Sequence, residues 1–205
     1  MTPEAAERPA GDVGVWLGQI SRAITGDGES DVPCGECTAC CSAAQFVHVG
    51  PDERDALARI PVELLFPAPG LPPGHQLLGY DQAGRCPMLG ALGCTIYDAR
   101  PRACRVYDCR VFAITGVVPD EPGRTAVATR VAQWRFAVSS DDDQLRWDAV
   151  RAAAEFLATY PSTTGMGSTA RALAALRVHP LFIEADRLVT PSPEAVLTEL
   201  AAHGE

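Results

Sequence analysis

Eight cysteines constrain this chain more than any other feature, and four of them fall within eight residues, "CGECTACC", 34–41. Cys34, Cys37 and Cys40 are each separated by two residues, and Cys41 stands beside Cys40. Cys86, Cys94, Cys104 and Cys109 follow, separated by seven, nine and four residues. A C-x2-C turn brings two thiolates onto one metal while backbone N–H groups point at the sulfurs. Two such turns in series supply three thiolates, the run that serves a [4Fe-4S] cluster in bacterial ferredoxins, where a Cys followed by Pro also takes part. Here Cys86 is followed by Pro87. Zinc uses the same sulfur ligands, four at a time and tetrahedrally.

The doubled cysteine narrows the choices. Neighbouring α-carbons lie about 3.8 Å apart, short of the roughly 4.4–6.8 Å of ordinary disulfides. A Cys40–Cys41 disulfide would therefore be strained. In a regular helix or strand the two side chains also point in different directions. The pair is expected to serve different corners of a cluster, or different sites. One division places Cys34, Cys37, Cys40 and Cys86 around one centre and Cys41, Cys94, Cys104 and Cys109 around another.

The second cysteine group carries its own charge. "CTIYDARPRACRVYDCR" (94–110) holds Arg100, Arg102, Arg105 and Arg110 against Asp98 and Asp108, a net +2 in a chain of net -9. A four-thiolate centre around Zn²⁺ or [4Fe-4S]²⁺ is anionic, and guanidinium donors beside it would offset that charge and tune it. Arg100 and Arg105 are the candidates for this outer role. The bland alternative is that these Arg pair with nearby Asp and face water.

The acidic balance disfavours a nucleic-acid partner, which needs a basic face. No run approaches the ~18 apolar residues of a membrane span, and the first residues carry acids without an apolar core. The expected location is the cytoplasm, where clustered cysteines are metal ligands or redox groups more often than disulfides. At 47% hydrophobic, 205 residues can build a real core.

The predicted fold class is α+β. A small irregular cysteine-rich metal-binding core (31–125) lies between an N-terminal helix with an acidic linker (1–30) and a mainly helical C-terminal extension (126–205). Trp16, Leu17, Ile20 and Ile24 at helical spacing predict a helix over 11–25. Residues 45–50 and 76–81 read as strands and 51–60 as a helix with Pro and acids at its start. The β-branched stretch 110–118 reads as a strand or buried segment, and 125–138 as strand or helix, with strand favoured for its first half. Beyond residue 140 three helices are predicted. Ser140 and Asp143 fit a capping box for the first, and Ser192 and Pro193 open the last.

The ordered set "CGECTACC", "FVHVGPDE", "CPML", "CTIYDARPRACR" and "YDC" resembles the YkgJ-type, or CxxCxxCC, cysteine cluster family. The likeness spans roughly residues 34–110. It implies zinc or iron chelation, an iron–sulfur cluster among the options, by Cys34, Cys37, Cys40, Cys41, Cys86, Cys94 and Cys104. It also marks Tyr97, Arg100, Pro101 and Arg105 as motif positions without stated chemistry. A similar cysteine box occurs in a bacterial flagellin lysine methylase, which keeps a cluster-dependent enzyme as the alternative.

Other features carry less. "GMGSTA" (165–170) follows a predicted helix, so it reads as a loop and helix start and not as a dinucleotide-binding turn. Asp141–Asp143 cap a helix in preference to binding a cation. His48 and His75 could substitute as ligands, but eight cysteines already suffice for two four-ligand sites. Trp16, Trp134 and Trp147 are expected in the core. A cysteine left outside the centre, Cys41 or Cys109, could be a reactive thiol beside Arg. No catalytic motif stands apart from the cysteines. The sequence therefore reads as a binder of an iron–sulfur cluster, [4Fe-4S] preferred, or of zinc. Its partner is expected to be a redox or metal-delivery protein.

Overall fold

The computed structural model describes residues 6–30, 32 and 36–202. β1 (Arg8–Asp12) leads into α1 (Val13–Thr25). After the cysteine box come β2 (Val47–Val49), α2 (Arg54–Arg59), β3 (Leu65–Pro67), β4 (Gln76–Leu78) and the hairpin β5 (Leu89–Gly90) and β6 (Gly93–Cys94). Three short helices follow: α3 (Arg102–Val106), α4 (Arg110–Thr115) and α5 (Thr125–Val131). β7 (Trp134–Ala137), α6 (Asp141–Thr159), α7 (Ser168–Val178), the hairpin β8 (Ile183–Glu184) and β9 (Arg187–Leu188), and α8 (Pro193–Ala201) complete the chain. The architecture is mixed α+β with several small sheets, as expected. No helix among the described residues is long and apolar enough to cross a membrane.

The chain divides into two compact units that interleave in sequence. One comprises Met1–Ser21, Cys109–Glu121 and Ala128–Glu205, the other Arg22–Asp108 and Pro122–Val127. The first, the helical unit, packs α6 and α7 against α4 and α8. Its buried side chains include Trp16, Phe112, Ile114, Val150, Leu157 and Phe182. α6 starts where its cap predicts: the Asp143 N–H donates to Ser140 Oγ at 3.1 Å. α8 starts the same way, with the Ala195 N–H donating to Ser192 Oγ at 3.2 Å. The "GMGSTA" stretch is indeed a loop and helix start. Gly167 is the residue before α7, and the Glu121 carboxylate accepts from Ser168 N–H and Oγ at 2.5 and 2.6 Å.

Two assignments from sequence are corrected here. Residues 110–115 are helical and not a strand, although they are buried as expected. Gly116 stops the helix in the left-handed region, φ 73°, with its N–H on the Phe112 carbonyl. Residues 125–131 are also helical, and the strand begins only at Trp134. There β7 pairs in parallel with β1, a strand the sequence did not announce.

The second, the cysteine unit, has a smaller core. Val47, Val49, Ala56, Ile60, Leu78 and Ile96 are buried together, and Cys86, Met88, Cys94 and Cys104 pack against them, half-buried. Its sheet runs β2-β4-β3, antiparallel throughout, with three residues per strand.

Candidate metal centre

Three separate backbone segments carry the described cysteines of this unit. Cys40 and Cys41 open a single 3-10 turn, Cys40–Ser42. Gln45 Nε2 donates to the Cys40 carbonyl at 3.1 Å and the Cys86 N–H to the Cys41 carbonyl at 2.7 Å, which ties the box to the second segment. The Ala44 N–H donates to the Gly84 carbonyl at 2.8 Å. Ala44 itself sits at φ 47°, squeezed between Gly84 (φ 74°) and Gly123 (φ 85°). A Cβ at either glycine would lie only 3.1 or 3.0 Å from the Ala44 Cβ, so backbone approaches closely here because side chains are absent.

Cys94 is held opposite Leu89 in the β5–β6 hairpin, and Thr95 donates twice to the Met88 carbonyl. Cys104 lies in α3, with its N–H on the Pro101 carbonyl at 2.9 Å. Glu53 fixes the start of that helix. Its carboxylate accepts from the Arg102 N–H and, at 2.7 Å, from the Gly50 N–H. Glu53 belongs to the "FVHVGPDE" motif but has no signal of its own as a brace, because its partner is 49 residues away.

The thiols report one another's presence. Burial first, and then the charges of Cys40, Cys86 and Cys94, push Cys104 up to about 12, with Arg100 pulling the other way. Cys86 is raised by burial, then by Cys94 and Cys40, against the Met88 N–H donated to its sulfur. Cys40 is raised furthest, first by a thiol–thiol hydrogen bond to Cys41, then by burial. These electrostatic influences link Cys40 and Cys86 with Cys94 and Cys104, members of both sets in the two-centre division. They also correct one expectation: the Cys40 and Cys41 side chains do not diverge. The irregular 3-10 turn lets the two thiols meet, where a straight helix or a strand would have parted them.

Cys40, Cys41, Cys86, Cys94 and Cys104 form no disulfide. Cys37 is half-buried, and Cys34 lies outside the described residues. Cys109 belongs to the helical unit, where the buried Trp134 indole N–H donates to its Sγ at 3.2 Å. Trp16 is buried as well, and Trp147 is half-buried with its N–H on the Ile114 carbonyl. His48 in β2 and His75, just before β4, bond to each other, Nε2···Nδ1 2.9 Å. Asp141–Asp143 occupy the first turn of α6.

The donor set fits a soft or borderline cation. Cys40, Cys86 and Cys104 resist ionisation in these surroundings, and a cation that binds thiolates removes that penalty. Among the described residues, no three Cys, His, Asp or Glu side chains already stand in a closed coordination arrangement.

No curated protein and no solved structure is significantly similar to the chain. A family match does exist, and it takes in every cysteine named above. Residues 33–126 match the CxxCxxCC family, described as "Putative zinc- or iron-chelating domain".

Proposed function

We propose that this domain holds a resident thiolate-ligated metal centre, with an iron–sulfur cluster as its preferred occupant and zinc as the competitor. The observation that carries the reading is the gathering of Cys40, Cys86, Cys94 and Cys104 from three separate segments onto one small core. Cys41, hydrogen-bonded to Cys40, brings a fifth thiol to the same place, one more than tetrahedral zinc uses. Cys34 and Cys37 precede them in the ligand run, and Cys86–Pro87 repeats the ferredoxin pattern. A bound cluster would supply one-electron chemistry. The chain's own residues then exclude water, fix the ligands and set the local charge. The fitting role is electron transfer or metal handling with a protein partner, in a compartment reducing enough to keep these thiols free, such as the cytoplasm.

Anaerobic purification followed by iron, sulfide and zinc analysis tests this. The expected protein is brown and bleaches on reduction. A colourless protein with stoichiometric zinc would overturn the cluster and leave a structural zinc domain.

A further inference from the structure

We propose that Arg100 is the positioning residue that balances thiolate charge at the metal centre, while Arg105, from the same motif, is a structural brace. The proposal rests on the metal-binding reading above. The sequence singles out Arg100 and Arg105 among the four arginines of residues 94–110 without telling the two apart, but the fold gives them different work. Arg105 is occupied by acids: its Nε donates to Glu29 at 2.6 Å, and its NH2 lies 4.0 Å from Glu53. Its NH1 donates to the Arg100 carbonyl. Arg102 donates through NH2 to the Ala23 carbonyl at 3.3 Å, at the end of α1. Arg110 serves the helical unit, where its NH1 donates to the Ala10 carbonyl at 3.0 Å.

Arg100 differs. No carboxylate pairs with it among the described residues. Its guanidinium carbon rests 3.6 Å from the centre of the Tyr97 ring. Its Nε is buried and has no hydrogen-bond partner among the described residues. A buried N–H without an acceptor is costly, and native folds leave few of them. An anionic sulfur is an acceptor that would satisfy it. Cys104 follows four residues on, its N–H on the Pro101 carbonyl. The Tyr97 face seats the cation without neutralising it, and a planar, weakly hydrated guanidinium suits a half-buried position beside sulfur. Arg105 in turn holds the Arg100 backbone, so the brace and the charge are adjacent but separable.

The test uses the full chain, stripped of metal and titrated with zinc against a chromophoric chelator, beside Arg100→Gln, Arg100→Lys, Arg105→Gln and Tyr97→Leu. Arg100→Gln should keep the wild-type stoichiometry but bind about tenfold more weakly, the low end for loss of an outer-shell partner. Arg100→Lys should recover most of that loss, which a purely structural role would not predict. Arg105→Gln should lower the melting temperature and leave the affinity of the folded protein within about twofold of wild type. Tyr97→Leu, which keeps the charge but removes its seat, should weaken binding about threefold and decides the matter if Arg100→Gln does not fold. Unchanged affinity in both Arg100→Gln and Tyr97→Leu overturns the proposal, as does Arg100→Lys as weak as Arg100→Gln. A wild-type chain that takes up neither zinc nor iron overturns the metal reading along with it.

Discussion

The helical unit and the cysteine unit solve the same stability problem with different means. α6 alone runs 19 residues and buries Val150, Ala153 and Leu157 against neighbours that include Phe182. Burial of this kind contributes roughly 1.5–3 kcal/mol for each large side chain. In the cysteine unit α2 has six residues and each strand of the sheet three. Its cluster contains six buried apolar residues, three of them only Val or Ala, and half-buried thiols complete it. Small cores of this sort ordinarily need a staple. Polar ties do part of the work: Ser30 Oγ donates to Asp108 at 2.5 Å, and Glu53 grips Gly50 and Arg102. What the contrast teaches is that the thiols are placed where a cation would add most to the fold.

Removing the cation should break this comparison most severely. Structural zinc is worth about 10–16 kcal/mol of apparent binding energy in small domains. The double variant Cys86→Ser, Cys104→Ser should lose stoichiometric metal, and the β2-β4-β3 amides should lose protection from hydrogen exchange while those of α6 and α7 keep it. Equal protection in both units, with and without metal, would contradict the contrast. Leu157→Ala should do the reverse. It should cost about 2–5 kcal/mol, read by denaturant titration, at unchanged metal content. A smaller loss should follow Gly123→Ala. A left-handed residue other than glycine costs about 1–2 kcal/mol, and the new Cβ would also crowd Ala44. The damage should appear as weaker protection around the cysteine box. Ser140→Ala, in the helical unit, should cost about 1 kcal/mol through the lost cap.

The two units should also respond to opposite ends of the pH scale. In the metal-free chain Cys40, Cys86 and Cys104 keep their protons in the folded state, while unfolded thiols lose them near the ordinary value of 9.0. Stability from this source is complete below pH 9.0 and falls as pH rises toward about 12. Burial holds His179 below its ordinary 6.5, with Nδ1 against the Leu176 carbonyl. The unfolded chain takes up that proton more readily, so stability also falls as pH drops below 6.5. Melting temperature against pH, with and without zinc, checks both. Zinc should abolish the alkaline limb, since bound thiolates have no proton left to lose.

Much of this was legible in the residues. α1, α6, α7 and α8 follow from apolar spacing and from caps such as Ser140 and Ser192, which are local and need no partner. β1 was not legible. "RPAGD" has no strand propensity, and it is extended because Arg8 pairs with Trp134, far along the chain. Residues 110–115 misled because β-branched composition favours strand while Gly116 marks a helix end, and burial decided for the helix.

By itself the sequence determined the cysteine set, its spacing and the class of chemistry, because thiolate affinity for soft cations belongs to the side chain. Only the tertiary structure decided which thiols meet. Hydrogen bonds from Cys86 to the Cys41 carbonyl and from Ala44 to the Gly84 carbonyl join segments dozens of residues apart, and Cys109 is claimed by Trp134. The same holds for Arg100 and Arg105, which the motif marks alike and which only a neighbouring ring, acid or carbonyl tells apart.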